Sequence, residues 1–216
     1  MGFRAIRYCL NNAEQFKVQL RALLRASAFG DIKIMLPLVT TVDEVREAKA
    51  LVEECKRELD AEGVAYNKDI EVGTMIETPS ASLIADKLAR ECDFFSIGTN
   101  DLIGYTICVD RGNDRVAYLY EVYQPSVLRS LKFLIGEGNK EKIMVGMCGE
   151  AAADPLLIPV LLSFGLDEFS VSAPSVLRTR KTIAAWTKAE ADELTARVME
   201  LDTAAEVKAL LEREAR

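Results

Sequence analysis

Apolar positions along this chain recur at two alternating spacings. Phe16, Leu20, Leu23 and Leu24 share one helical face, preceded by Asn12-Ala13-Glu14-Gln15, which has the layout of a capping box, and followed by Gly30, which closes the helix. A strand-like apolar run over 32–38 comes next, ended by Pro37. Thr41-Val42-Asp43-Glu44 opens a second capping box, and Val45, Ala48, Val52, Cys55 and Leu59 line a helix that lasts until Gly63. Further strands are predicted over 70–76, 94–97, 143–145 and 169–171, with a helix over 79–90. Thr187-x-x-Glu190 and Thr203-x-x-Glu206 start two C-terminal helices. These are five clear strands, with a sixth possible around Ala5-Ile6. Strands alternating with helices imply parallel pairing. A closed (β/α)8 barrel needs eight strands and about 250 residues. The pattern therefore fits either a smaller open α/β sheet or the later part of a barrel, and periodicity does not choose between them.

Composition narrows the class of partner. The 216 residues are 50% hydrophobic and 28% charged, as in a globular domain. A net charge of −7 disfavours a nucleic-acid surface, which needs clustered Lys and Arg. No signal pattern opens the sequence, and the apolar stretch over 156–164 is too short to span a bilayer, so a cytoplasmic, soluble protein is expected. The five cysteines are widely spaced with no CxxC pair, which suggests neither a zinc site nor a disulfide framework. Cys9, Cys55 and Cys108 are expected as small buried hydrophobes. There is no histidine, so the chain cannot supply a Cys-His pair.

Chemistry gathers where strands stop. Ile76 is followed by Glu77-Thr78-Pro79, Ile97 by Gly98-Thr99-Asn100-Asp101, and Val145 by Gly146-Met147-Cys148-Gly149-Glu150. In parallel α/β proteins the carboxyl ends of strands are where ligands bind, so two carboxylates and a thiol delivered there outline an active-site rim. Both carboxylates are expected at its solvent-facing edge.

Five motifs then choose the fold. Gly2-Phe3-Arg4-Ala5-Ile6-Arg7, Glu77-Thr78-Pro79, Gly98-Thr99-Asn100-Asp101-Leu102, Val109-Asp110-Arg111-Gly112-Asn113 and Gly146-Met147-Cys148-Gly149-Glu150 follow the order used by phosphoenolpyruvate-utilising enzymes. Taken together they most resemble the C-terminal domain of Enzyme I of the bacterial sugar phosphotransferase system, over essentially the whole chain. That resemblance implies a single domain over 1–216, a parallel (β/α)8 TIM-type barrel that is incomplete here, lacking the first βα units. The resemblance likewise implies that the N-terminal phosphohistidine domain and two further phosphate-binding arginines of those first units are not part of this sequence.

The resemblance also assigns roles. It implies a phosphotransferase that moves the phosphoryl group of phosphoenolpyruvate to a histidine on another domain and releases pyruvate, with Mg2+ required. Glu77 and Asp101 would be the metal ligands, as Mg2+ prefers hard oxygens. Arg4, Asn100, Asp101 and Arg111 would bind substrate, the guanidinium forks gripping phosphate oxygens. Cys148 would be the proton donor to the enolpyruvate carbon. Implied partners are the phosphohistidine domain, through it the histidine-containing carrier protein, and a second copy in a homodimer. The chain departs from the family at Ile103-Gly104, where Thr-Gln is common, at Phe3, in place of tryptophan, and at Gln124, where histidine is frequent. Activity of the chain alone is not expected. Two other readings stand beside this one: a non-catalytic phosphoenolpyruvate-binding or dimerisation module, and a fragment of pyruvate phosphate dikinase or phosphoenolpyruvate synthase. With sheet edges unpaired, the isolated chain is expected to self-associate.

Overall fold

A computed structural model describes residues 2–216. Five strands, β1 (Ile34–Leu36), β2 (Val72–Ile76), β3 (Phe94–Gly98), β4 (Met144–Cys148) and β5 (Glu168–Phe169), form one sheet. Every pairing is parallel and each strand lies beside the next in sequence. That sequential order is the order of a barrel, whereas a doubly wound sheet reverses direction partway. β1 and β5 do not pair with each other, so the barrel is open.

The two faces of the sheet differ as period-two alternation requires. Ile34, Leu36, Val72, Ile76, Phe95, Ile97, Val145 and Met147 are buried against the helices. The opposite face carries Met35, which is 40% exposed, together with the partly exposed Met75, Ser96, Met144 and Cys148 and the exposed Glu168. Glycines flatten this inner face. A Cβ on Gly73 would lie 2.6 Å from the Phe94 ring, and one on Gly146 would lie 2.6 Å from Glu168 Oε2.

The connecting helices follow the sequence pattern with four exceptions. The long α3 (Val42–Ala61) is formed where expected, with the Thr41 hydroxyl accepting from the Glu44 N–H and the Glu44 carboxylate accepting from the Thr41 N–H. The C-terminal boxes at Thr187 and Thr203 are formed in the same way. The Asn12 box is not. Asn12 sits between α1 (Ile6–Asn11) and α2 (Ala13–Ala26), and its amide donates back to the Tyr8 carbonyl at 2.9 Å, serving the end of one helix instead of the start of the next. No strand forms at Ala5-Ile6. Ile6 is the first residue of α1, fully buried, and its N–H points to the Pro37 carbonyl beyond β1. α2 stops at Ala26 rather than at Gly30, where the Ser27 hydroxyl bonds the Leu24 carbonyl. The helix over 79–90 is broken at Ile84 into α4 (Pro79–Leu83) and α5 (Ala85–Leu88). Serines, weak helix formers, precede the break, and their hydroxyls are engaged elsewhere: Ser80 with the Thr40 carbonyl and Ser82 with Ser130.

After β3 the chain continues into α6 (Thr99–Thr106), a loop through Arg111, and α7 (Pro125–Glu141). Beyond β4 lie α8 (Ile158–Phe164), α9 (Val176–Ala184), α10 (Lys188–Val198) and α11 (Ala204–Glu214). No helix among the described residues is long and apolar enough to cross a membrane.

Candidate active site

The carboxyl ends of β1 to β3 converge on a cleft of about 750 Å³. Of the residues predicted from sequence, Arg4, Asn100, Asp101 and Arg111 line its walls. Glu77 lies beneath, 5% exposed, and not at a solvent-facing edge as the sequence suggested. Cys148 is half-buried at the end of β4 and is not part of the cleft wall.

Glu77 is held by its surroundings. The Leu38 N–H donates to Oε1 at 2.6 Å, from a residue whose φ of 58° lies in the left-handed region, unusual for so bulky a side chain. Gly98 lies against the same carboxylate, since a Cβ there would stand 2.9 Å from Oε2 and 2.8 Å from Met75 Sδ. Burial pushes the Glu77 pKa above its ordinary range. The Leu38 N–H opposes this, Asp101 adds to it, and Arg4 opposes it more weakly.

Asp101 stands in the first turn of α6, its side chain 30% exposed, and accepts a hydrogen bond from Arg4 at 3.0 Å. That pairing raises the Arg4 pKa. One oxygen of each carboxylate, Glu77 Oε2 and Asp101 Oδ1, accepts no hydrogen bond from the described residues. No group of three or more His, Cys, Asp or Glu placed to hold a metal ion exists among them. A cation here would have two carboxylates and would complete its shell from a ligand and water, which is how Mg2+ is commonly held.

The turn after β4 is locked to the turn after β3. The Thr99 hydroxyl donates to the Cys148 carbonyl at 2.8 Å. Gly149 has φ 92°, and a Cβ there would fall 2.3 Å from the Thr99 hydroxyl. Only glycine meets both conditions. Burial raises the Cys148 pKa, and a hydrogen bond from Ser96 works against the rise. The thiol is thereby kept in its protonated form. Among the other cysteines, Cys55 and Cys92 are buried, the latter pushed up to about 12 by desolvation, and Cys9 is partly buried. Cys108 corrects the sequence expectation. It is exposed in the cleft wall, at φ 57° just past the end of α6, where the chain turns outward toward Arg111.

Two features escaped the sequence reading. Tyr120 donates its hydroxyl to the Asn100 carbonyl at 3.1 Å and lies beside Arg111, tying the arginine loop to the start of α6. A lone tyrosine twenty residues from its partner leaves no local signal. Gly104, part of the departure from the family pattern, accepts the Val109 N–H at its carbonyl at 2.8 Å, and a Cβ on it would press on the Val109 carbonyl at 3.0 Å. Its small size lets the loop carrying Arg111 close onto α6.

Comparison with known proteins follows the same lines. Residues 1–188 match the family described as PEP-utilising enzyme, PEP-binding domain. Phosphoenolpyruvate-protein phosphotransferases from Bacillus sp. (strain S) and Bacillus subtilis are 52% and 51% identical over 213 and 211 residues, 99% and 98% of this chain. That from Listeria monocytogenes is 49% identical over 213 residues. The chain spans 37% of the length of each of these relatives. A solved citrate lyase from Burkholderia xenovorans superposes with a TM-score of 0.58 at 17% identity, covering 91% of this chain and 67% of the other, a likeness of fold alone. The chain belongs to the family of phosphoenolpyruvate-utilising enzymes, through their phosphoenolpyruvate-binding domain.

Proposed function

We propose that this chain binds phosphoenolpyruvate together with Mg2+ and serves a phosphotransferase that passes the phosphoryl group to a histidine on another domain. The observation that carries the reading is that Asp101, Arg4 and Arg111 line one cleft at the carboxyl ends of the strands, with Glu77 buried beside Asp101. Glu77 and Asp101 would hold the cation, which when bound screens the negative charge of the phosphate. Arg4 and Arg111 orient the phosphoryl and carboxylate groups, and Asn100 adds an amide contact.

The bond between phosphorus and the enol oxygen breaks, its electron pair stays on that oxygen, and the histidine nitrogen takes the phosphoryl group. The enolate then takes a proton at its methylene carbon from the Cys148 thiol, giving pyruvate and a thiolate. A thiol kept protonated by burial suits that role. The working unit in this reading is a cytoplasmic homodimer, joined to a phosphohistidine domain that hands the group to a carrier protein.

Calorimetric titration of the chain with phosphoenolpyruvate, with and without Mg2+, tests the binding half. Pyruvate release after adding a phosphohistidine domain tests the transfer half. Mg2+-dependent binding with release supports the proposal. Binding without release leaves a non-catalytic module, and no binding removes the reading.

A further inference from the structure

We propose that Arg7 is a further phosphoryl-binding residue of the cleft, a role that rests on the function proposed above. The cleft walls carry three arginines, Arg4, Arg7 and Arg111, against two carboxylates, Asp101 and Asp110. Arg4 is committed to Asp101 at 3.0 Å. Arg111 lies beside Tyr120 in the loop that Asp110 organises by accepting the Gly112 N–H at 2.8 Å. Arg7 makes no ion pair with any described carboxylate, and its one hydrogen bond, to the Gly2 carbonyl, is long at 3.5 Å. Like Arg111, which makes no ion pair with a described carboxylate either, it keeps most of its five donors available.

Its position is enforced by the backbone. Ala5 adopts φ 53° and ψ −135°, a conformation costly for a residue with a Cβ, and full burial of the adjacent Ile6 helps hold it there. This turn lets Arg4 and Arg7, three residues apart at the start of α1, both reach the cleft while Ile6 enters the core. Arg7 is exposed, whereas Glu77 is buried below. A phosphoryl group that leaves for an acceptor on another domain must face the open side of the cleft, and that is the side where Arg7 stands. The guanidinium fork matches phosphate oxygens and offsets the charge carried during transfer.

The test compares wild type, Arg7→Ala and Arg7→Lys of this chain by calorimetry in Mg2+, with phosphoenolpyruvate, inorganic phosphate and pyruvate as separate probes. Arg7→Ala is expected to weaken phosphoenolpyruvate and phosphate by about tenfold each and to leave pyruvate unchanged, since a charge-assisted contact of this type is of that order. Arg7→Lys should recover part of the loss by restoring the charge without the fork. Equal losses for pyruvate and phosphoenolpyruvate would overturn the assignment, as would unchanged phosphate affinity in Arg7→Ala. The two proposals fail separately. Phosphate binding that depends on Arg7, with no phosphoenolpyruvate binding, keeps the arginine's role and removes the substrate; binding of none of the probes removes both.

Discussion

Leu38 and Glu77, thirty-nine positions apart, are joined by a 2.6 Å hydrogen bond from the Leu38 backbone N–H to the Glu77 carboxylate. The donor belongs to a buried leucine in the left-handed region, so backbone strain at the end of β1 coincides with the placement of a candidate metal ligand at the end of β2. This bond separates two roles of Glu77 that a single substitution would otherwise merge. In Glu77→Gln the side-chain carbonyl still accepts from Leu38, and only the charge is lost. Mg2+-dependent phosphoenolpyruvate binding should disappear while the fold persists. In Glu77→Ala the buried N–H loses its partner as well, at a cost of about 1–3 kcal/mol. Thermal melts and calorimetry on both variants check this, and retained Mg2+-dependent binding in Glu77→Gln would remove the metal assignment. Asp101→Ala should lose the same binding with less effect on stability, because the Asp101 side chain is 30% exposed whereas Glu77 is buried.

The raised pKa of Glu77 has a definite sign in stability. Its ordinary value is 4.5, and the folded value lies above it. Between the two the folded state binds the proton that the unfolded state has released, so stability falls as pH rises through that window. The contribution is fully present below the unfolded value and lost above the folded one. In metal-free buffer, the melting temperature of Glu77→Gln minus that of wild type should therefore grow as pH is raised from about 4 toward neutrality. A difference that shrinks or stays flat over that range would contradict it.

Cys148→Ala should bind phosphoenolpyruvate nearly as wild type does, because a thiol that serves the methylene carbon holds none of the ligand's charged oxygens. Once a phosphohistidine domain is supplied, exchange of solvent deuterium into pyruvate C3 should drop by about 10²–10⁴-fold, the usual scale of a lost general acid. Cys148→Ser should behave alike, since a hydroxyl is a far weaker acid. Wild-type exchange rates in the alanine variant would remove the thiol from the mechanism.

Gly149→Ala meets two obstacles at once, a backbone at φ 92° and the Thr99 hydroxyl 2.3 Å from the added carbon. A loss of about 1–3 kcal/mol in denaturant unfolding is expected. Because Thr99 precedes Asn100 and Asp101, ligand affinity should fall with it.

The open sheet makes a prediction about assembly. β1 and β5 each have one unpaired edge, and the inner face exposes Met35 among partly covered Met75 and Met144. Unpaired parallel edges and uncovered apolar surface recruit further chains. Sedimentation of the isolated chain at low micromolar concentration should show an oligomer, and a stable monomer would contradict this.

What the sequence determined by itself is what neighbouring residues settle among themselves. The boxes at Thr41, Thr187 and Thr203 formed because each is a reciprocal contact across one turn. The five strands formed near their expected places, since apolar runs bounded by turn residues have few alternatives, and Glu77, Asp101 and Cys148 duly stand at or just beyond strand ends. The Asn12 box looked the same on paper and failed, because a helix already preceded it. Only the tertiary structure decided the rest. That Arg4 meets Asp101 across ninety-seven positions depends on the turn at Ala5, which the Ile6 N–H ties to the Pro37 carbonyl just past β1. That Glu77 is buried depends on Leu38 and Gly98 closing around it from neighbouring strand ends. Sheet order brings such groups together through hydrogen bonds between distant segments, and no spacing along the chain encodes a contact whose two halves are fixed by different strands.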